Sequence, residues 1–371
     1  MIEMENIIIA HQTITDGDAI GHDIMGMYDL FTSLGYKVYI CGEYCFEHLK
    51  SAQIKPINIK QFSVDDLLIY HHSIHWKEGE RLLSNFKGKI IFRYHNITPP
   101  YYFRGFSDIH YQKCLQGIEQ TKAFINLYNN SLWLGASEFN CLELHDHGLN
   151  PKMSLVVPPF NLLDNLKDVY PNFRVIDELI GSYENNVLFV GRVAPNKGHY
   201  HLIKTIKTYK DMYDSKIHLW IIGALDNNCR PYNEYISKLI LKSGLGKNIS
   251  MTGKVSIEDL KAYYLACDEF LCMSEHEGFC VPLIEAQKML LPVITYGGSA
   301  LEETAGKNQI VMNDFDYEFA AAALYTIFSD EKVRTFCNIH GIQNCTSRFS
   351  SNVIKNKFIS ALNMPTEGET V

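Results

Sequence analysis

Two cations stand close together where a strand of this chain gives way to a helix. The segment Val187-Leu188-Phe189-Val190-Gly191-Arg192-Val193-Ala194-Pro195-Asn196-Lys197-Gly198 begins as an apolar run and leads into a helical pattern at 199–210, so Arg192 and Lys197 bracket the helix start. A helix N-terminus carries about half a positive charge, which makes each cation there unfavourable by roughly a few tenths of a kcal/mol. Two together point to an anion between them. Arginine forks onto two phosphate oxygens, lysine supplies a mobile point charge, and neighbouring backbone N–H groups complete the site. A diphosphate fits. The alternative is a solvated loop whose charges are neighbours by chance; the G-x4-G-K-[ST] spacing of a P-loop is absent.

A second constellation follows the apolar run at 269–273: Ser274-Glu275-His276-Glu277-Gly278-Phe279-Cys280-Val281-Pro282-Leu283-Ile284-Glu285-Ala286. Pro282 marks the first turn of a helix, where its missing N–H matters least. Glu277 then lies on the loop and Glu285 in the turn, projecting into one crevice from different levels. A carboxylate accepts two hydrogen bonds from vicinal hydroxyls, which ribose and hexose both present. Gly278 lets the backbone approach a ligand closely, so its amide and that of Phe279 can donate to sugar or phosphate. The plainer alternatives are that Glu285 favours the helix dipole and that Glu277 caps the helix through a Ser274-x-x-Glu277 pattern.

Elements of matching rhythm must position these residues. Short apolar runs alternate with amphipathic stretches, as in βα units feeding parallel sheets. The first half predicts strands at 6–10, 37–41, 67–71, 89–94, 131–136 and 153–157; the second predicts them at 187–190, 218–222, 249–252, 269–273, 292–296 and 309–312. The fold class is α/β, with two Rossmann-like parallel sheets. At 371 residues the chain exceeds the length at which single cores stop growing. Pro158-Pro159 and the irregular stretch to about residue 185 mark the junction, giving an N-terminal domain over 1–170 and a second over 171–348. Ligands of open α/β sheets bind beyond the carboxyl ends of the strands, so two such domains enclose a cleft. Three helical segments follow Asp316. The last, with the tail, spans 349–371 and is expected to pack back on the first domain.

A net charge of −8 argues against nonspecific nucleic-acid binding. No apolar run is long enough to span a bilayer and no export signal is visible, so the chain is expected in the cytoplasm, with at most peripheral contact at the inner face of a membrane. Ten cysteines show no zinc spacing and are expected to be reduced core fillers. His71, His72 and His75 are expected at the surface or lining the cleft rather than on a metal. Asp16-x-Asp18 and Asp314-x-Asp316 mimic a metal-binding D-x-D pattern outside its usual context.

Taken together, Gly191-Arg192 with Lys197-Gly198, and Glu277-Gly278-Phe279 with Pro282-Leu283-Ile284-Glu285, resemble the donor-site signature of the family 4 retaining glycosyltransferases of the GT-B fold. The likeness runs over 186–348 and includes Gly297-Gly298-Ser299-Ala300-Leu301-Glu302-Glu303, with Glu302 where the family often has proline. The resemblance implies that Arg192 and Lys197 hold the donor diphosphate beside Gly191, Glu285 the ribose and Glu277 the donor sugar. Gly278 and Phe279 would give backbone amides. Gly253, Lys254 and Val255 would lie beside the base. In the N-terminal half, His95 of Phe92-Arg93-Tyr94-His95-Asn96-Ile97-Thr98-Pro99 matches a functional histidine of the family. Ser137 and Glu138 would reach the cleft, and the glycine loop at 16–21 would set Gly17 toward the donor and Asp18 toward the acceptor.

The implied reaction transfers a hexosyl group from a UDP- or GDP-sugar to a saccharide or lipid-linked acceptor with retention. It needs no metal or cofactor. Subfamilies with the Tyr-His-Asn-Ile-Thr-Pro element build bacterial surface polysaccharides. The rivals are a nucleotide-sugar epimerase or phosphorylase on the same scaffold, and a noncatalytic carbohydrate-binding or scaffold protein that retains the site's shape. Oligomeric state is not legible.

Overall fold

The computed structural model describes residues 6–15, 18–45, 54–55, 62–213 and 216–362. These form two compact units. The first combines Met1–Pro99, Gln112–Leu162 and Ser351–Val371; the second combines Pro100–Tyr111 with Leu163–Ser350.

The first unit holds a seven-stranded parallel sheet, ordered Ile54–Lys55, Lys37–Cys41, Asn6–Ala10, Leu67–His72, Lys89–Tyr94, Leu132–Gly135, Ser154–Val156. Ile7, Ile8 and Ile9 are all fully buried, as expected of a parallel strand covered on both faces. The helix Ala19–Ser33 packs through Ile24, Met27 and Phe31 onto this sheet. The final helix, Ser351–Leu362, returns to the same core: Ile354, Phe358 and Ala361 are buried in it, and Phe358 meets Phe31 edge-on with ring centroids 5.8 Å apart. The packing-back expected from the sequence is therefore present.

The second unit holds a six-stranded parallel sheet, ordered Ile249–Gly253, Ile217–Ile222, Asn185–Val190, Glu269–Cys272, Val293–Tyr296, Ile310–Met312. The chain builds outward from Asn185–Val190 on one side, then crosses back to add strands on the other. Strand order thus reverses between Asn185–Val190 and Glu269–Cys272, where Val187 pairs with Glu269 and Leu188 with Phe270. Such a switch point splays apart the loops leaving the two strands and opens a ligand crevice at their carboxyl ends. The loops carrying Lys197 and Glu277 are those two loops. The first sheet reverses likewise between Asn6–Ala10 and Leu67–His72; there His11 Nε2 and Ser73 Oγ, just beyond the two strands, share a 2.8 Å hydrogen bond.

Candidate active site

The turn Pro195–Lys197 leads through Gly198 into the helix His199–Met212. Gly198 has φ +66°, and a Cβ there would fall 1.7 Å from the Met273 carbonyl oxygen. Only glycine fits both the left-handed backbone and the close approach. Asn196 stitches the same two loops together: its Nδ2 donates to the His276 carbonyl at 3.0 Å, while its own carbonyl accepts the Glu275 and His276 amides at 2.9 and 3.3 Å. The result is a Lys197 Nζ that donates to Glu277 Oε1 at 2.7 Å. Burial pushes the Lys197 ammonium toward its neutral form, but the Glu277 carboxylate, together with the nearby Cys280 and Cys272, outweighs it and holds the pKa above the ordinary lysine value. Glu277 is braced from the next strand's loop as well, its amide donating to Ser299 Oγ at 2.9 Å.

Arg192 is half-exposed and finds a different carboxylate, its Nη1 lying 3.4 Å from Asp226 Oδ2. The same oxygen hydrogen-bonds His110 Nε2 at 2.8 Å. That bond, against the opposing effect of burial and with help from Arg192, holds the Asp226 carboxyl below its usual range. His110 belongs to Pro100–Tyr111, the piece of the N-terminal half built into this unit. Gly191 donates to the Ile222 carbonyl at 2.9 Å, and a Cβ on Gly223 would come 2.1 Å from the Gly191 oxygen. Gly253 ends its strand with φ +77° and accepts the Gly223 amide at 2.9 Å. Lys254 is exposed beside it and Val255 half-buried.

The second glutamate lies deeper. The helix Val281–Lys288 carries Pro282 in its first turn, as expected, and starts too late for a Ser274–Glu277 capping box. Its N-cap is Cys280, at φ +78°. Glu285 is buried and its Oε2 accepts Tyr264 Oη at 2.8 Å. Burial raises its pKa, with the tyrosine partly opposing. Phe279 turns its ring edge-on to Phe349 at 5.2 Å, so the side chain is committed to packing. Gly278 lies on the loop between Glu277 and this anchor.

In the first unit, His95 follows the strand Lys89–Tyr94 and is half-buried. Its Nε2 shares a 2.8 Å hydrogen bond with His71 Nδ1 and lies 3.8 Å from Asp23 Oδ2. Burial first, then Arg93 and the neighbouring His11 and His72, hold the His95 pKa well below its ordinary value, so the ring is neutral. Arg93 is itself fully buried, donating to Asp23 Oδ2 at 2.7 Å and to the Val157 carbonyl at 2.6 Å. His71 and His72 are core residues rather than surface ones, His72 bonding Thr121 Oγ1 at 2.8 Å; His75 is partly exposed. Asp18 caps the helix Ala19–Ser33 by accepting the Gly21 amide at 2.7 Å, and Ser137 caps Glu138–Asp146 through the Asn140 amide at 3.2 Å. Glu138 is exposed in the first turn of its helix. Gly17 lies outside the described residues. Asp316 spends its carboxylate on capping Tyr317–Ser329.

Asn196, Asp226, His110 and Tyr264 are the partners that sequence reading missed. Each is an ordinary polar residue with no motif of its own, and only Asn196 adjoins a residue singled out by type.

Two Rossmann-like parallel-sheet units, with the cations and carboxylates gathered at the second unit's switch point, define the GT-B class. Residues 176–343 match the model of the family described as glycosyl transferases group 1. Among curated relatives, the mannosylfructose-phosphate synthase of Agrobacterium fabrum is 24% identical over 233 residues, 62% of this chain and 50% of that protein. The O-antigen chain mannosyltransferase B of Escherichia coli is 28% identical over 176 residues, 45% of each. The chain thus spans about half the length of the curated relatives it matches. Among solved structures, Anabaena Alr3699/HepE in complex with UDP-glucose superposes with a TM-score of 0.76 over 96% of this chain and 99% of that one, at 14% identity. The sucrose-phosphate synthase of Thermosynechococcus elongatus gives 0.74 at 17% identity, covering 96% and 98%. At these identities the likeness is one of fold. No helix among the described residues is long and apolar enough to cross a membrane.

Proposed function

We propose that this chain is a retaining glycosyltransferase that moves a hexosyl group from a UDP- or GDP-sugar to a hydroxyl of a saccharide or lipid-linked saccharide, in the synthesis of a surface polysaccharide or related glycan. The observation that carries the reading is the 2.7 Å contact between Lys197 and Glu277 at the switch point. It places a fixed ammonium where a helix begins, beside a carboxylate able to take sugar hydroxyls.

Departure of the nucleoside diphosphate is the costly step. Charge grows on the phosphate oxygens as the glycosidic bond stretches, and cations already in position lower that barrier without reorganising. Lys197 and Arg192 serve this purpose, each held in place by one carboxylate, Glu277 and Asp226 respectively. Glu285, fixed by Tyr264, accepts the ribose hydroxyls; Glu277 accepts those of the transferred sugar. The acceptor attacks from the leaving-group face, and the departing phosphate takes its proton, so no covalent nucleophile is needed. His95, being neutral, orients the sugar or diphosphate instead of delivering a proton. With cations supplied by side chains, the reaction needs no metal and persists in a chelator. Mannosyltransferases among the relatives and the UDP-glucose complex of a protein of like fold support the donor class. A cytoplasmic place, peripheral to the membrane at most, follows from that class.

A panel of nucleoside diphosphates tests the donor: at about a hundred times its dissociation constant a ligand stabilises the fold by about 2.7 kcal/mol. Lys197→Ala should lower kcat about 100- to 1000-fold with the fold intact. A variant that keeps near-normal kcat overturns the assignment.

A further inference from the structure

Two thiols lie against the Lys197–Glu277 pair, and sugar transfer uses neither. Cys272 ends the strand Glu269–Cys272, and Cys280 stands just before the helix Val281–Lys288. Both are free and buried. Their sulfurs and a carboxylate oxygen of Glu277 all lie within 4.8 Å of one another. Cys280 is held at φ +78°, a conformation that suits glycine and costs a residue with a Cβ about 1–3 kcal/mol. A cysteine kept in a glycine's place points to use of its sulfur.

We propose that Cys272 and Cys280 are an oxidation site, at which a peroxide joins them in a disulfide and so disables the Lys197–Glu277 pair. Cys272 gives up its proton and the thiolate attacks one peroxide oxygen; the O–O bond breaks and the departing hydroxide takes up that proton and leaves as water. Cys280 then attacks the Cys272 sulfur, an S–S bond forms, the S–O bond breaks, and the hydroxide leaves with the Cys280 proton as a second water. Two thiols and one peroxide become one disulfide and two waters. The hydrogen bond from Cys280 lowers the Cys272 pKa while Cys280 is held high, which makes Cys272 the attacking thiol. The Lys197 ammonium interacts with both sulfurs and favours the thiolate, against the Glu277 carboxylate, which disfavours it. Burial restricts the oxidant to a molecule little larger than water.

Closing the sulfurs from within 4.8 Å to about 2.0 Å must draw in the intervening loop. That loop carries Glu277 and is tied to the Lys197 turn by Asn196. A shift of about 1 Å in such a site costs about 100-fold in rate. The loss of turnover rests on the proposed transferase reading; the disulfide does not.

The test treats the full, reduced chain with hydrogen peroxide, maps its cysteines by mass spectrometry, and follows nucleotide-sugar turnover before and after a dithiol reductant. The expected result is a loss of two hydrogens located at a Cys272–Cys280 link, with turnover falling about 100-fold and returning on reduction. Cys280→Gly, which suits the left-handed backbone, and Cys272→Ser should both keep basal turnover and resist peroxide. Links to other cysteines, thiols that stay reduced, or a Cys272–Cys280 link that leaves turnover unchanged would each overturn the proposal. A link that forms in a chain whose reduced form turns over no nucleotide sugar leaves the oxidation site standing and overturns the transferase reading alone.

Discussion

The Gly198 backbone approaches the Met273 carbonyl so closely that an added Cβ would sit 1.7 Å from its oxygen. Gly198 directly follows Lys197, and Met273 directly follows the strand that leads to Glu277. Backbone meets backbone across the switch point, and this sets the distance at which the ammonium reaches the carboxylate.

Gly198→Ala therefore has two costs. The left-handed φ of +66° strains an alanine by about 1–3 kcal/mol, and the clash pushes the loops apart. Urea unfolding should show at least that loss, and turnover should fall about 100-fold through displacement of Lys197. Wild-type stability together with wild-type rate would refute the close approach.

Tyr264, on the helix Ile257–Ala266, fixes Glu285 at 2.8 Å. A hydrogen bond to a charged group contributes about 1.5–3 kcal/mol, so Tyr264→Phe should raise the donor KM by about tenfold or more. Because the proposed ribose contact would be made equally in ground and transition states, kcat should hardly change. A variant with unaltered KM and reduced kcat would show that Glu285 acts elsewhere.

The Arg93–Asp23 pair is fully buried. Removing one partner leaves an uncompensated charge, and Arg93→Met should cost about 3–5 kcal/mol in denaturant unfolding. Asp23→Leu in the same chain should recover much of this. It should not recover all, because the Phe160 amide also donates to Asp23, at 2.8 Å. If the double variant is no more stable than the single one, the buried charge is not the cause.

His72 and His199 are buried in their neutral forms, burial pushing both pKa values down to about 3. Below the unfolded value of 6.5 the unfolded chain binds protons that the folded chain refuses, so stability falls as pH drops from 6.5 toward about 3. Thermal unfolding across that window should show a falling midpoint. His199→Phe, which packs near Phe189 and Tyr232, should flatten the slope. An unchanged slope in that variant would count against it.

Much of the fold is legible because a parallel strand covered on both faces must be apolar along its whole length. The predicted strands at 6–10, 37–41 and 89–94 coincide with Asn6–Ala10, Lys37–Cys41 and Lys89–Tyr94. The two-residue pairing of Thr13–Ile14 with Tyr44–Cys45 is too short to leave a period and went unseen. Arg192, Lys197, Glu277 and Glu285 are legible by type and by their place after strands, since cations at a helix start and carboxylates on a glycine loop are physically conspicuous.

The sequence alone thus determined two parallel sheets and the charged residues that follow their strand ends. Tertiary structure decided which charges meet. Lys197 pairs with Glu277, Arg192 with Asp226, and Asp226 with His110, because the sheet sets Glu269–Cys272 beside Asn185–Val190 and the Pro100–Tyr111 segment joins the second unit. Strand order is fixed by how crossover helices pack on the two faces of the sheet, a long-range balance that local periodicity does not record.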